Sequence, residues 1–262
     1  MKDNHNMTFG EHLEVLRKML FRILFVTFVL ATAIFCFKEK TFDILLAPSS
    51  WNFITFRGIE SLCNLIGWEF HFNEYHINMI ATELSSQFMT HLSTSIYLGL
   101  LVASPYIVME LFRFISPALY ENEKKYSIQV TIAIYFLFII GVLISYFLIF
   151  PISFRFLGTY QVADSVISNI TLKSYISTFT TLTFVLGIVF QLPILVFFMA
   201  KMEIINSEIM TTYRKYVFMI VLIISAIITP PDVFTLILVT IPLYLLYEIS
   251  INIVKKIEKK RK

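Results

Sequence analysis

The sequence predicts an all-α integral membrane protein with six transmembrane helices, N- and C-termini cytoplasmic, and helices five and six short. Composition, the spacing of apolar runs and the placement of Lys and Arg predict it. Of 262 residues, 57% are hydrophobic, 27 are Phe and only 15% are charged, and mean hydropathy is +0.76. A soluble domain of this size carries about 25% charged residues, so lipid is the main solvent here. A net charge of +3 is too small to imply a polyanionic partner. Disorder, nucleic-acid binding and an ordinary cytosolic enzyme are excluded on the same grounds.

A spanning helix needs about 20 largely apolar residues, because the hydrocarbon is ~30 Å thick and each residue rises ~1.5 Å. The first such run extends from Leu20 to Phe37 and the second from Leu92 to Phe112. The third covers Ser127 to Phe150 and the fourth Tyr175 to Ala200. Two shorter runs follow, Tyr216 to Ile228 and Val233 to Tyr247, parted by Thr229, Pro230, Pro231 and Asp232. Two prolines and an aspartate stop a helix, so the last pair reads as two short spans joined by a tight turn. The first run lacks a small-residue cleavage site after it and has polar helix before it, so it reads as a retained span rather than a signal peptide.

Orientation follows from the basic residues. Lys2, Arg17, Lys18 and Arg22 lie at the N-terminus, Arg113, Lys124 and Lys125 between spans two and three, and Lys201, Arg214 and Lys215 between four and five. Six more, Lys255, Lys256, Lys259, Lys260, Arg261 and Lys262, close the chain. That places sixteen of 21 on one side, against Lys38, Lys40, Arg57, Arg155 and Lys173 on the other. Both termini are therefore expected in the cytoplasm, on a single membrane domain covering residues 1–262. It would comprise an N-terminal cytoplasmic helix at 8–19, a large external loop at 38–86 and a basic C-terminal tail at 252–262.

Trp51, Phe53, Phe56, Trp68, Phe70 and Phe72 make the large loop aromatic, as expected of material at headgroup level. Residues 76–90 read as a short helix leading into span two, and 151–174 as a second external loop. Cys36 and Cys63 allow a disulfide without requiring one. Gly99 to Pro105 and Gly187 to Pro193 share a spacing, best explained as two independent kinked helices.

Phosphate-loop, zinc-protease and serine-hydrolase motifs are all absent from the sequence. The five histidines show no metal-ligand spacing, and His91 reads as a packing or interfacial residue. No enzyme activity, cofactor or metal is expected. Polar groups at membrane depth are costly and so are functional candidates. Gln191 is the main one, with a cavity-facing role and a helix–helix hydrogen bond equally open. Glu110 and Glu248, at span ends, read as structural. Asp232 sits on the turn between two spans too short for an unperturbed bilayer.

Several patterns together resemble the TatC family of the twin-arginine protein translocase, over residues 8 to 252. They are His12-Leu13-Glu14-Val15-Leu16-Arg17, Ala47-Pro48, Phe114-Ile115-Ser116-Pro117-Ala118-Leu119-Tyr120, Glu123-Lys124-Lys125, Leu192-Pro193, Thr229-Pro230-Pro231-Asp232, and Pro242 followed by Tyr247-Glu248.

The resemblance implies a receptor for the signal peptides of folded export substrates, in the bacterial inner (plasma) membrane. It would be powered by the protonmotive force and would work with single-span TatA/TatB-type subunits, as a homo-oligomer within a larger complex. A pair of guanidinium groups needs carboxylates at the cytoplasmic surface. Glu123, with Glu14 or Glu11, is the expected set, beside Arg17 of the same motif. Phe114 and Leu119 would give apolar contact, and Pro48, Gln191, Asp232 and Glu248 are the expected loop and intramembrane positions. Three positions depart from the family pattern: Val15 and Gln191 stand where an acid is usual, and Leu236 where some relatives are polar. Glu11 and Glu14 also fit a capping box with Thr8 and an ion pair with Lys18. The competing reading is a small secondary transporter with a midplane site at Gln191.

Overall fold

The computed structural model describes residues 9–69, 71–75, 77–115, 127–161, 163 and 169–261. The helices in order are α1 (Phe9–Cys36), α2 (Lys38–Leu46), α3 (Ile54–Leu65), α4 (Ser86–Ile115), α5 (Ser127–Ile144), α6 (Phe150–Thr159), α7 (Leu172–Val189), α8 (Leu192–Lys201), α9 (Ser207–Thr212), α10 (Arg214–Ile228) and α11 (Val233–Arg261). Two short strands, β1 (Met79–Ile80) and β2 (Ile170–Thr171), pair in parallel with Met79 opposite Ile170. Among the described residues five helical runs are long and apolar enough to cross a membrane: Leu13–Cys36, Ser86–Leu111, Thr131–Thr159, Leu172–Lys201 and Val233–Lys259. Helix α10, with 15 residues, reaches only ~22 Å at ~1.5 Å per residue.

Proline explains most of the departures from the sequence reading. The third run does not stop at Phe150: a π turn, Ser145–Ile149, hands over directly to α6, whose Pro151 sits in the first helical turn. In that continuous run Pro151 has no N–H to offer the Phe147 carbonyl four residues back. The expected 151–174 loop is accordingly helical to Thr159. The fourth run breaks between Val189 and Leu192, because the ring of Pro193 clashes with the carbonyl four residues back and offers no donor. Helix α11, by contrast, passes straight through Pro242 and is 29 residues long. The sixth helix is thus not short, and the basic tail from 252 is part of it. Its far end holds because Ile251 and Val254 bury against Ala200 and Met210. The stretch 76–90 is not one helix: β1 lies within it at Met79–Ile80, and α4 starts at Ser86.

The chain divides into two compact units, Met1–Lys38 with His91–Tyr135, and Glu39–Thr90 with Phe136–Lys262. In the first, α1 and α4 approach closely at one point. A Cβ on Gly99 would lie 2.7 Å from the Cβ of Ala31. The His91 ring stacks on Phe35 with centroids 4.1 Å apart and planes 8° from parallel, in keeping with a packing histidine. Arg22 reaches Glu110 at 3.3 Å, so Glu110 is structural, as read.

In the second unit, α5 and α7 meet through a reciprocal pair. Gly141 faces the Leu186 carbonyl and Phe190, and Gly187 faces Phe138. Small residues permit this approach where lipid supplies no hydrophobic drive between helices. The hydroxyls of Ser145 and Thr183 add a buried hydrogen bond of 3.1 Å. The two Gly-to-Pro spacings give different local structures, a continuous α4 and the broken α7–α8. Phe53 and Phe56 are buried rather than interfacial, with Phe56 only 2% exposed. Both cysteines are free thiols.

Candidate functional site

Three places carry the residues singled out above. The first is the start of α1. No Gly or Pro interrupts Glu11 to Cys36, so the motif helix and the apolar span form one continuous helix. Glu14 is exposed and holds Lys18 at 2.8 Å, an i,i+4 pair worth only a few tenths of a kcal/mol. Beside it Leu13, Leu16, Arg17, Leu20, Phe21 and Leu24 line a shallow groove of about 310 Å³. Those positions recur at three- and four-residue steps, so they fall on one face. Glu11 stands in the opening turns of the same helix. Phe114 is half-buried near the end of α4. Leu119 and Glu123 lie outside the described residues.

The second place surrounds Pro48, which is buried in a single 3-10 turn, Ala47–Ser49, at the end of α2. The last carbonyls of a helix have no partners of their own. Here two tyrosines supply them: Tyr146 donates to the Ile44 carbonyl at 2.7 Å and Tyr175 to the Leu45 carbonyl at 2.8 Å. Ser49 donates back to the Leu46 carbonyl at 2.7 Å. Pro151 matters here, because it has no N–H for the Phe147 carbonyl four residues earlier. The Phe147 carbonyl accepts from the hydroxyl of Thr55, and Phe53 stacks on Phe147 at 5.9 Å.

Further along, the Arg155 guanidinium sits 5.1 Å from the Phe56 ring, 4.4 Å from Phe72 and 4.8 Å from Tyr75, and donates to the Asn73 carbonyl at 3.0 Å. Burial pushes the Tyr75 hydroxyl up to about 12, against the opposing pull of the Arg155 charge. The sequence reading did not place Tyr146, Tyr175 or Arg155 among the candidate site residues. A polar tip inside or just beyond an apolar run was the available signal.

Tyr175→Phe is expected to cost about 1–3 kcal/mol, since the Leu45 carbonyl would lose its donor at a buried position. Tyr146→Phe should cost less, because its bond is exposed. Thermal unfolding in detergent checks the first effect. Limited proteolysis between residues 38 and 86 should accelerate in parallel for Tyr175→Phe.

The third place is the α7–α8 break and the α10–α11 turn. Gln191 donates from Nε2 to the Gly187 carbonyl at 3.3 Å. Its buried Oε1 has no partner among the described residues. Asp232 caps α11, its Oδ1 accepting from the Thr235 amide at 2.6 Å, so the turn motif does local structural work. Glu248 is held in a fork by Arg214, with Nε and Nη2 each 2.9 Å from a carboxylate oxygen, and Tyr244 donates to it at 3.2 Å. It is engaged and would have to leave Arg214 to take a second guanidinium. Among the described residues no group of His, Cys, Asp and Glu could hold a metal ion.

The family model described as Sec-independent protein translocase protein (TatC) matches residues 11–242. The chain belongs to the TatC family. The TatC of Blattabacterium sp. subsp. Periplaneta americana is 34% identical over 266 residues, covering all of both chains. That of Aquifex aeolicus is 32% identical over 260 residues, covering 98% of each. A crystal structure of the twin arginine translocase receptor TatC superposes with a TM-score of 0.73 at 31% identity, covering 94% of this chain and 98% of that one. TatC proteins are components of a protein translocase, so this chain is a multi-span membrane transport protein rather than a classical enzyme. TatC membership also removes the ground for a small-solute transporter built around Gln191.

Proposed function

We propose that this TatC chain is the core receptor subunit of the twin-arginine translocase, binding the signal peptides of folded proteins for protonmotive-force-driven export across the bacterial inner (plasma) membrane. The supporting observation is the start of α1, where an exposed carboxylate, Glu14, adjoins an apolar groove on the same helix. A signal peptide presents the complementary pair, guanidinium groups followed by an apolar stretch. Its arginines would bind Glu123 with Glu14 or Glu11 through charge-assisted, bidentate hydrogen bonds. Phe114, Leu119 and the groove beside Arg17 would take the apolar part.

In this reading the chain is one six-span domain with both termini cytoplasmic. Helix α10 is the fifth of the six spans, and at ~22 Å it is shorter than the ~30 Å of hydrocarbon. The Pro48 turn faces outside. Gln191, with its spare carbonyl oxygen, and α10 meet single-span TatA/TatB-type subunits, while Asp232 and Glu248 fix the ends of the α10–α11 pair. The working form is a homo-oligomer within a larger complex.

Site-specific crosslinking tests the reading. A twin-arginine signal peptide is added to membrane vesicles in which a photoreactive residue stands beside Glu123. A crosslink that disappears when the peptide's arginine pair becomes Lys-Lys is expected. Absence of any crosslink from correctly inserted protein overturns the assignment.

A further inference from the structure

We infer that the end of α11 carries a docking surface for anionic lipid headgroups, formed by Lys255, Lys256 and Lys259. All three are exposed on a helix that continues unbroken from the membrane-crossing segment. At about 100° per residue they fall within one arc of about 100°. Val254 and Ile257 point the other way, packed with Ala200 and Met210. The lysines are therefore fixed in place by the fold rather than carried on a loose tail.

Among the described residues no carboxylate pairs with them. The one acid in residues 255–262 is Glu258. It is turned toward α9, where it accepts from the Ser207 amide at 2.8 Å and from the Ser207 hydroxyl. Lys260 and Arg261 extend the same run.

Depth identifies the ligand. At about 1.5 Å per residue, Lys255 lies about 33 Å and Lys259 about 39 Å along α11 from Val233. A bilayer is ~30 Å of hydrocarbon within ~40–45 Å including headgroups. With Val233 at one edge of the hydrocarbon, the ammonium groups lie at the level of the lipid phosphates on the other side. Tyr213 and Tyr216, 52% and 63% exposed, flank Arg214, which pairs with Glu248 about 22 Å along α11, so these aromatics stand on the hydrocarbon side of the lysines, where an interfacial belt belongs. Clustered lysines just past a span attract anionic lipid over zwitterionic lipid. The inference needs α11 to cross ~30 Å of hydrocarbon, and it stands independently of the receptor reading.

The test is thermal unfolding of the full chain in neutral detergent, titrated with phosphatidylglycerol, with phosphatidylcholine or with inorganic phosphate. Phosphatidylglycerol is expected to raise Tm saturably, less so at high salt, while the other two do not. The combined Lys255→Gln, Lys256→Gln, Lys259→Gln variant should need at least about tenfold more phosphatidylglycerol for half the shift, and the corresponding Lys→Arg variant should behave as wild type. Tm without lipid reports folding of each variant. Single Lys→Gln changes, each worth about fivefold, serve if the triple variant does not fold. An equal shift with phosphatidylcholine, an equal shift with free phosphate, or an unaltered titration in the glutamine variants overturns the inference.

Discussion

Glu123→Lys is expected to lower export of twin-arginine substrates to no more than about one-tenth of wild type. A hydrogen bond to a charged group contributes about 1.5–3 kcal/mol, and each 1.4 kcal/mol is about tenfold in affinity. Charge reversal removes that attraction and adds repulsion of the incoming guanidinium groups. Glu14→Gln should do less, because Glu14 already holds Lys18, and part of any arginine contact there is offset by releasing that pair. The measurement is the export rate of a folded twin-arginine reporter, with membrane insertion of the variant verified. Restoration by a signal peptide bearing a Glu-Glu pair in place of its arginines would tie the loss to direct contact. Wild-type export by Glu123→Lys would remove Glu123 from the site.

Gly141→Ala is expected to destabilise the second unit by about 1–3 kcal/mol, the usual cost of inserting a methyl group into a filled interior. The new Cβ would lie 2.7 Å from the Leu186 carbonyl oxygen and 3.0 Å from Phe190. Backbone cannot rotate away as a side chain can, so α5 and α7 must separate there. Gly158→Ala is the matched control. Its Cβ would meet only side-chain atoms, at the ends of Ile77 and Ile170, and Ala is favoured over Gly in a helix by up to ~1 kcal/mol. For a chain this size ~1 kcal/mol moves Tm by about 2–4 °C, so the two substitutions should be separable in one thermal scan in detergent. Equal Tm values for the two variants would show that the α5–α7 approach is looser than Gly141 implies. The same contact sits one turn from Gln191, so loss of packing at Gly141 should also unsettle the break that sets the direction of α8.

Five of the six apolar runs read from the sequence as spans are helices long and apolar enough to cross a membrane. Transfer of a segment into lipid is a sum over its own residues, so apolar length and Lys/Arg placement are readable without a fold. Local turn chemistry was readable for the same reason: Asp232 after two prolines announces a helix start, and it caps α11. The tertiary structure decided what happens at each proline. Pro105 and Pro242 lie inside continuous helices, whereas the chain breaks just before Pro193, though one residue type offers the same missing donor in all three. What differs is the surroundings. Helix α11 continues past Pro242 to an end that buries on α8 and α9, and the break before Pro193 places Phe190 against Gly141.

Partnership was equally out of reach of the sequence. Glu248 was legible as a polar residue at a span end, but its hold on Arg214 joins positions 34 apart, and the Tyr175 bond to Leu45 joins positions 130 apart. Burial costs accumulate residue by residue along a chain. Hydrogen-bond partners and close approaches depend on which residues the fold brings together, and that is why only the folded chain could assign them.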